Sequence, residues 1–125
     1  MKKVLVIDDA EIILQFFKLH LEENNYLVDV CDDPEIALKM IKQHSYDLIL
    51  LDIEMPGING MEILKIIKSQ ALAPHAPVIM LTANDDPEVI NVCMASGAAD
   101  YILKPFKILS AIKRIEEIMM RGRLN

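Results

Sequence analysis

Short apolar runs alternate with longer amphipathic stretches along the chain. Four of the runs are continuous and rich in Ile, Leu and Val, which is typical of strands buried on both faces of a parallel sheet. A fifth run is interrupted by Asp29 and therefore predicts an edge strand with one face in water. The predicted strands cover residues 4–7, 27–30, 48–51, 78–81 and 101–103.

The stretches between the runs carry helix signals. Asp33 and Asp86 each precede a proline, which is the arrangement of an N-cap residue before a first helical position. Asn59 is followed three residues later by Glu62, as in a capping box, and Gly97 supplies a stop signal. The predicted helices cover residues 10–23, 34–43, 60–69, 87–96 and 107–121.

This alternation predicts one α/β domain over residues 1–125, a doubly wound five-stranded parallel sheet with helices on both faces. In such open sheets the functional crevice lies beyond the carboxyl ends of the strands. The residues that follow the predicted strands are therefore the first candidates for chemistry. They are Asp8, Asp9, Asp52, Thr82 and Lys104.

Composition narrows the class of protein. The 125 residues are 53% hydrophobic and 26% charged without a Trp, which predicts a folded domain with an aliphatic core. The net charge of -6 argues against direct nucleic acid binding, because that binding neutralises phosphates with Lys and Arg.

Cys31 and Cys93 lie in apolar stretches and predict buried, reduced thiols. No apolar run suits a signal peptide or a membrane span, so we expect a cytoplasmic protein that does not engage a membrane.

Three carboxylates, a hydroxyl and an amine are thus predicted to meet in one crevice. Clustered carboxylates repel one another, and Mg²⁺ relieves such repulsion because it prefers carboxylate, water and phosphate oxygens. Asp52 beside a cation and the Lys104 ammonium could attack a phosphoryl group and form an aspartyl phosphate. Singly, each residue has a simpler explanation: Asp9 could cap the next helix, Thr82 could bond local backbone, and Lys104 could be solvated. Taken together, these residues favour a shared site, because helix capping does not require polar residues at the ends of all four apolar runs.

Four motifs occur in order along nearly the whole chain. They are Asp8-Asp9, the D-x-x-M-P-x-x-x-G run from Asp52 to Gly60, Thr82-Ala83 and Lys104-Pro105-Phe106. Together they resemble the receiver domain of two-component response regulators and are similar to the single-domain chemotaxis-type receivers. The resemblance implies a flavodoxin-like sheet with the strand order 2-1-3-4-5.

The resemblance also implies a phosphoacceptor and a metal site. Asp52 would accept a phosphoryl group from the phosphohistidine of a sensor histidine kinase or a histidine phosphotransfer protein. Asp9 and Asp52 would bind Mg²⁺, for which Mn²⁺ could substitute, together with the backbone carbonyl of Glu54. Asp8 would orient the metal shell, largely through water. Such a domain catalyses its own phosphorylation and dephosphorylation and is not a conventional enzyme.

Further residues would bind the phosphoryl group and transmit its presence. Thr82 and Lys104 would each contact a phosphoryl oxygen, and the Lys104-Pro105 bond would be cis. Tyr101 would be the switch aromatic, which turns inward as Thr82 moves toward the phosphoryl group. The surface of helix 4, strand 5 and helix 5 would then signal to a downstream target, an output domain or a second copy in a homodimer.

Helix 5 carries apolar residues beyond those needed for packing. A stripe at helical spacing predicts its buried face, and it consists of Ile108, Ile112, Ile115 and Met119. Beside it lie Leu109, Ile118 and Met120, and we expect some of these to remain exposed for a partner.

Glu54 and Asn84 lie two residues after Asp52 and Thr82, at positions that vary in the resembled family and tune the lifetime of the phosphate. Glu54 would place negative charge near the attacking water. We therefore expect it to change the dephosphorylation rate without abolishing phosphorylation.

Other functions fit the same fold class. A flavodoxin-type binder wants a Gly- or Ser/Thr-rich first loop, whereas the Asp8-Asp9-Ala10 loop would repel phosphate unless a metal intervened. An aspartate phosphatase would use an Asp-x-Asp motif and a cap domain, and Asp52-Ile53-Glu54 matches that motif only weakly. A degenerate receiver used purely for binding would not need the intact acidic set. Both a stand-alone regulator and a fragment of a longer protein fit the sequence.

Overall fold

The computed structural model describes the backbone of residues 1–124 and the side chains of residues 1–121. Within that part, strands and helices alternate. The strands are β1 (Lys3–Ile7), β2 (Leu27–Cys31), β3 (Leu48–Asp52), β4 (Val78–Thr82) and β5 (Asp100–Leu103). The helices are α1 (Glu11–Glu23), α2 (Pro34–Gln43), α3 (Gly60–Ser69), α4 (Pro87–Ala95) and α5 (Ile108–Leu124).

The strands form one parallel sheet in the order β2-β1-β3-β4-β5, which confirms the expected order. β3 and β4 are buried along their whole length. β2 is an edge strand, as Asp29 predicted, and the Asp29 carboxylate accepts a 2.7 Å hydrogen bond from the Tyr46 hydroxyl.

The prediction that residues 101–103 form a strand buried on both faces was wrong. β5 lies at the other edge of the sheet, and of its residues only Ile102 is buried. The run is short and apolar like the central ones, but it has a neighbouring strand on one side only. The pattern of apolar residues indicates a strand but does not indicate where that strand lies in the sheet.

Helices cover both faces of the sheet, as predicted. Side chains of successive strand residues point to opposite faces and enter two apolar cores. One core packs against α2, α3 and α4 and includes Cys93, and the other packs against α1 and α5 around Phe17. Cys31 and Cys93 are buried free thiols, as expected. In the described part of the chain, no helix is long and apolar enough to cross a bilayer.

The capping signals mark the starts of three helices. The side chain of Asp33 accepts from the backbone N–H of Glu35, at the start of α2. Asn59 accepts from the N–H of Glu62 at the start of α3, and Asp86 caps α4 in the same way. These local bonds satisfy N–H groups that the first helical turn leaves without partners.

Gly60 allows α3 to begin against the carboxyl end of β3. Its N–H donates a 2.9 Å hydrogen bond to the carbonyl of Ile53. A Cβ atom at Gly60 would collide with the backbone carbonyl of Asp52 and would lie 2.8 Å from the Cα atom of Ile53. Because backbone cannot yield as a flexible side chain can, only glycine fits here without moving Asp52.

We therefore predict that Gly60→Ala lowers the free energy of unfolding by about 3 kcal/mol, because the added methyl group overpacks against backbone. Gly57→Ala is the matched control. Its Cβ would meet no atom within 4 Å, and the cost is limited to the positive φ of 81°, on the order of 1 kcal/mol. Urea unfolding measures both. Equal stability of Gly60→Ala and wild type would contradict the close approach.

Candidate functional site

The carboxyl ends of four strands bring the predicted residues together. Asp52 is the last residue of β3, and Thr82 is the last residue of β4. Asp8 follows β1, and Lys104 follows β5. Because the strands are parallel and β1 lies beside β3, these ends meet at one edge of the sheet.

Three carboxylates form an acidic cluster at this edge. Oxygen atoms of Asp8, Asp9 and Asp52 all lie within 4.8 Å of one another. Asp8 is 0% exposed and Asp52 is 1% exposed, whereas Asp9 is open to solvent. The first residue before α1 is Ala10, and no side chain caps that helix. Asp9 is therefore not used as a helix cap, and the simpler explanation for it fails.

Lys104 joins the two buried carboxylates. Its Nζ atom lies 2.8 Å from Oδ2 of Asp8 and 3.3 Å from Oδ1 of Asp52. The side chain is only 21% exposed, so it is not a solvated residue at a strand end. The Lys104-Pro105 peptide bond is cis, as the resemblance implied.

Electrostatic interactions perturb both partners. Burial and the negative charge of Asp8 together raise the pKa of Asp52 to about 7, against the opposing effect of Lys104. Burial alone would lower the pKa of Lys104, but its hydrogen bond to Asp8 and the charge of Asp52 outweigh burial and raise that pKa. The single ammonium group thus leaves an excess of negative charge among the three carboxylates.

This excess fits a divalent cation. Hard cations such as Mg²⁺ prefer oxygen ligands, and the cluster offers carboxylate oxygens from three residues, one of them open to solvent. The pKa of Asp52 is raised first by burial and then by the charge of Asp8, and a bound cation would oppose both effects by favouring the ionised carboxylate. The residues that could hold the metal are therefore Asp8, Asp9 and Asp52.

Thr82 makes a contact that the sequence did not reveal. Its hydroxyl donates a 2.6 Å hydrogen bond to Oε1 of Glu54 and accepts a 3.0 Å bond from the backbone N–H of Asn84. The predicted local backbone bond of Thr82 is thus present as well. The N–H of Glu54 donates to Oδ1 of Asp52 at 3.2 Å. The spacing of Glu54 placed it near the site but gave no signal for a contact with Thr82.

Comparison with known proteins decides the family. A family model described as "Response regulator receiver domain" matches residues 4–116. The chain belongs to the response regulator receiver family. Membership in this family favours a receiver over the flavin-binding and phosphatase alternatives. The acidic first loop and the weak Asp-x-Asp match already disfavoured those two functions.

Several relatives are similar to this receiver. Response regulator ArlR of Staphylococcus saprophyticus is 37% identical over 121 residues, which cover 97% of this chain and 54% of ArlR. The receiver thus spans about half the length of the curated relatives it matches.

Solved structures agree with the fold. The receiver domain of Francisella response regulator 1452 is 39% identical with a TM-score of 0.90, and the match covers 97% of this chain and 98% of that one. Response regulator TrrA of Thermotoga maritima, solved in complex with Mg²⁺ and BeF, is 34% identical with a TM-score of 0.83, covering 94% and 99% of the two chains.

In this receiver, Tyr101 contacts α5. It is half-buried on β5, and its backbone carbonyl accepts a 2.9 Å hydrogen bond from Nη1 of Arg114. The Arg114 guanidinium lies 5.8 Å from the centroid of the Tyr101 ring and also pairs with Asp100 at 3.2 Å. Sequence analysis missed Arg114, because its place on helix 5 gave no sign of its partners.

The apolar residues beside the helix 5 stripe divide into two groups. Leu109 is 82% exposed and Met120 is 58% exposed, as expected for residues left for a partner. Ile118 is instead buried in the core beneath α1 and α5, so it is not part of that exposed set. The buried face of α5 is therefore wider than the stripe of apolar residues at helical spacing predicted.

The raised pKa of Asp52 predicts a pH-dependent penalty in the metal-free protein. Between its ordinary pKa of 3.8 and about 7, the folded state holds a proton that the unfolded chain has lost, so stability falls as the pH rises. Asp52→Asn removes this penalty. The variant should be more stable than wild type by about 2 kcal/mol at about pH 8, and the gain should vanish at about pH 4.

Urea unfolding in the presence of a chelator measures this difference. Asp32→Asn, at an exposed loop acid outside the cluster, is the matched control and should follow wild type at every pH. A stability gain of Asp52→Asn that did not change with pH would contradict the raised pKa.

Proposed function

We propose that this receiver is a Mg²⁺-dependent phosphoacceptor. Asp52 would accept the phosphoryl group from the phosphohistidine of a sensor histidine kinase or a histidine phosphotransfer protein. The observation that carries the proposal is the convergence on Asp52 of the Asp8 and Asp9 oxygens and the Lys104 ammonium. A degenerate, purely binding receiver would not need this arrangement.

The metal ligands in this proposal are Asp9, Asp52 and the backbone carbonyl of Glu54, with Asp8 acting largely through water. When bound, Mg²⁺ supplies positive charge that offsets the charge of the transferred phosphoryl group. The excess of carboxylates over ammonium groups in the described site supports such a cation. Mn²⁺ could substitute, because it also suits oxygen ligands.

Two neighbouring groups position the Asp52 carboxylate so that it can attack the phosphorus atom. The N–H of Glu54 and the Nζ atom of Lys104 both contact Oδ1 of Asp52, and together they orient the carboxylate. An oxygen of Asp52 forms a bond to phosphorus while the bond between phosphorus and the imidazole nitrogen of the donor breaks. Lys104 and Thr82 then bind phosphoryl oxygens. Transfer of this kind depends mainly on positioning and on charge stabilisation.

The switch would be a shift between two populations. Thr82 and Lys104 make some contacts only when the phosphoryl group is present. These contacts would favour the active state over the inactive one. Tyr101 would turn inward as Thr82 moves, and α4, β5 and α5 would change their surface. The exposed Leu109 and Met120 on α5 support a contact with a downstream target, an output domain or a second copy in a homodimer.

Nucleic acid and membranes have no direct role in this proposal. The net charge of -6 supports the first point. The cytoplasmic location and the domain limits 1–125 remain predictions. The receiver would not act as a conventional enzyme, since its substrate is its own Asp52.

Glu54 and Asn84 are proposed to set the lifetime of the aspartyl phosphate. Both lie next to Thr82, which the Glu54 carboxylate and the Asn84 N–H contact directly. Glu54→Ala should therefore change the rate at which the phosphorylated protein loses its phosphoryl group, without preventing phosphorylation. A dephosphorylation rate equal to that of wild type would contradict this role.

Phosphorylation itself is tested with Mg²⁺ and acetyl phosphate, followed by intact mass measurement. Wild type should gain the mass of one phosphoryl group, and it should not gain it when a chelator removes the metal. Asp52→Asn should gain nothing, while the control Asp32→Asn should behave as wild type. Absence of the added mass in wild type, or its presence in Asp52→Asn, would refute the proposal.

A further inference from the structure

The hydroxyl of Thr82 has one proton, and Glu54 already accepts it. The donor oxygen lies 2.6 Å from Oε1 of Glu54, a short distance that is typical of a hydroxyl bound to a carboxylate. The hydroxyl oxygen also accepts from the N–H of Asn84 at 3.0 Å. Thr82 therefore cannot donate to a further acceptor while the contact with Glu54 persists.

The two partners differ in their freedom to move. Thr82 is 1% exposed at the end of a central strand, whereas the Glu54 side chain is exposed to solvent. Glu54 is placed by its backbone, because its N–H donates to Asp52. The carboxylate can therefore leave Thr82 for water, but Thr82 has no comparable route to solvent.

We propose that Glu54 is a positioning residue that holds the Thr82 hydroxyl in the unphosphorylated receiver and competes with the phosphoryl group for its proton. The inference rests on the proposed phosphoacceptor function. Phosphoryl oxygens only accept hydrogen bonds, so Thr82 must release Glu54 before it can bind one. Phosphorylation then exchanges one anionic acceptor of Thr82 for another.

This exchange makes Glu54 oppose the switch. The contact between Thr82 and Glu54 stabilises the unphosphorylated arrangement, and its loss is part of the free-energy cost of binding a phosphoryl group. Removing the carboxylate should lower that cost. A hydrogen bond of this kind typically changes an equilibrium by about three- to tenfold.

Simple charge repulsion offers another account of the same effect. A carboxylate near the site would weaken the binding of any anion, whether or not it bonded Thr82. The two accounts differ in a variant without the hydroxyl. Competition for the proton disappears in Thr82→Val, whereas repulsion persists there.

The experiment titrates beryllofluoride in the presence of Mg²⁺ against purified protein. Glu54→Ala should bind the analogue about three- to tenfold more tightly than wild type. The gain should shrink to within about twofold in the Thr82→Val background and should persist in Thr82→Ser, which retains a hydroxyl. Asp85→Ala removes an exposed acid from the loop after β4 and controls for distant charge.

A second measurement compares the NMR spectrum of the unliganded variant with the spectra of unliganded and ligand-saturated wild type. The methyl resonance of Thr82 in Glu54→Ala should move toward its position in wild type saturated with Mg²⁺ and beryllofluoride. Asp85→Ala tests whether the change is specific to this contact, and it should leave the Thr82 methyl resonance at its wild-type position. A purely structural role of Glu54 would not move the resonance in that direction.

Two results would overturn the inference while leaving the proposed function intact. The first is a Glu54→Ala variant that binds beryllofluoride no more tightly than wild type. The second is a gain in affinity from Glu54→Ala that is as large in Thr82→Val as in the protein with Thr82, because that result would show charge repulsion alone. Failure of wild type to bind the analogue at all would instead refute the phosphoacceptor function, and the competition with it. The gain in Glu54→Ala that depends on the Thr82 hydroxyl supports the inference.

Discussion

The contact of one lysine with two buried aspartates is the interaction on which the site depends. Lys104 lies 2.8 Å from Asp8 and 3.3 Å from Asp52, both of which are removed from water. Two such carboxylates without a cation would be costly to bury. The sheet order makes the contact available, since β1 beside β3 brings the aspartates together and the long lysine side chain reaches them from β5.

The unphosphorylated site already pairs the polar groups that it needs. Lys104 contacts Asp8 and Asp52, and the Thr82 hydroxyl contacts Glu54. On our account, phosphorylation exchanges these partners within a preformed site. The raised pKa of Asp52 reflects its burial and the neighbouring charge of Asp8, and a bound cation would favour the ionised carboxylate. A modest difference in free energy between two sets of contacts can then decide the state of the switch.

Much of the fold was predictable because its signals are local. Capping by Asp33 and Asn59 depends on residues two or three positions away, and the apolar runs that form β1, β3 and β4 need only their own composition. The strand ends were also predictable, since parallel strands bring their carboxyl ends to one edge. That rule alone predicts that Asp52 and Lys104 reach the same crevice.

The remaining features depend on tertiary contacts and side-chain rotamers. The edge position of β5 did not follow from its own residues, and neither did the burial of Ile118. The hydrogen bond between Glu54 and Thr82 joins the loop after β3 to the last residue of β4, 28 residues further along the chain, and only the folded sheet places them side by side. Arg114 likewise acquires its role from the position of Tyr101 on the neighbouring strand.

The most direct test of the account is an experimental structure of the protein with Mg²⁺ and beryllofluoride. We predict the beryllium atom on a carboxylate oxygen of Asp52, with Lys104 and the Thr82 hydroxyl bonded to its fluorides. Glu54 should no longer contact Thr82. A structure with the analogue on another residue, or on Asp52 without contacts to Lys104 and Thr82, would contradict the account.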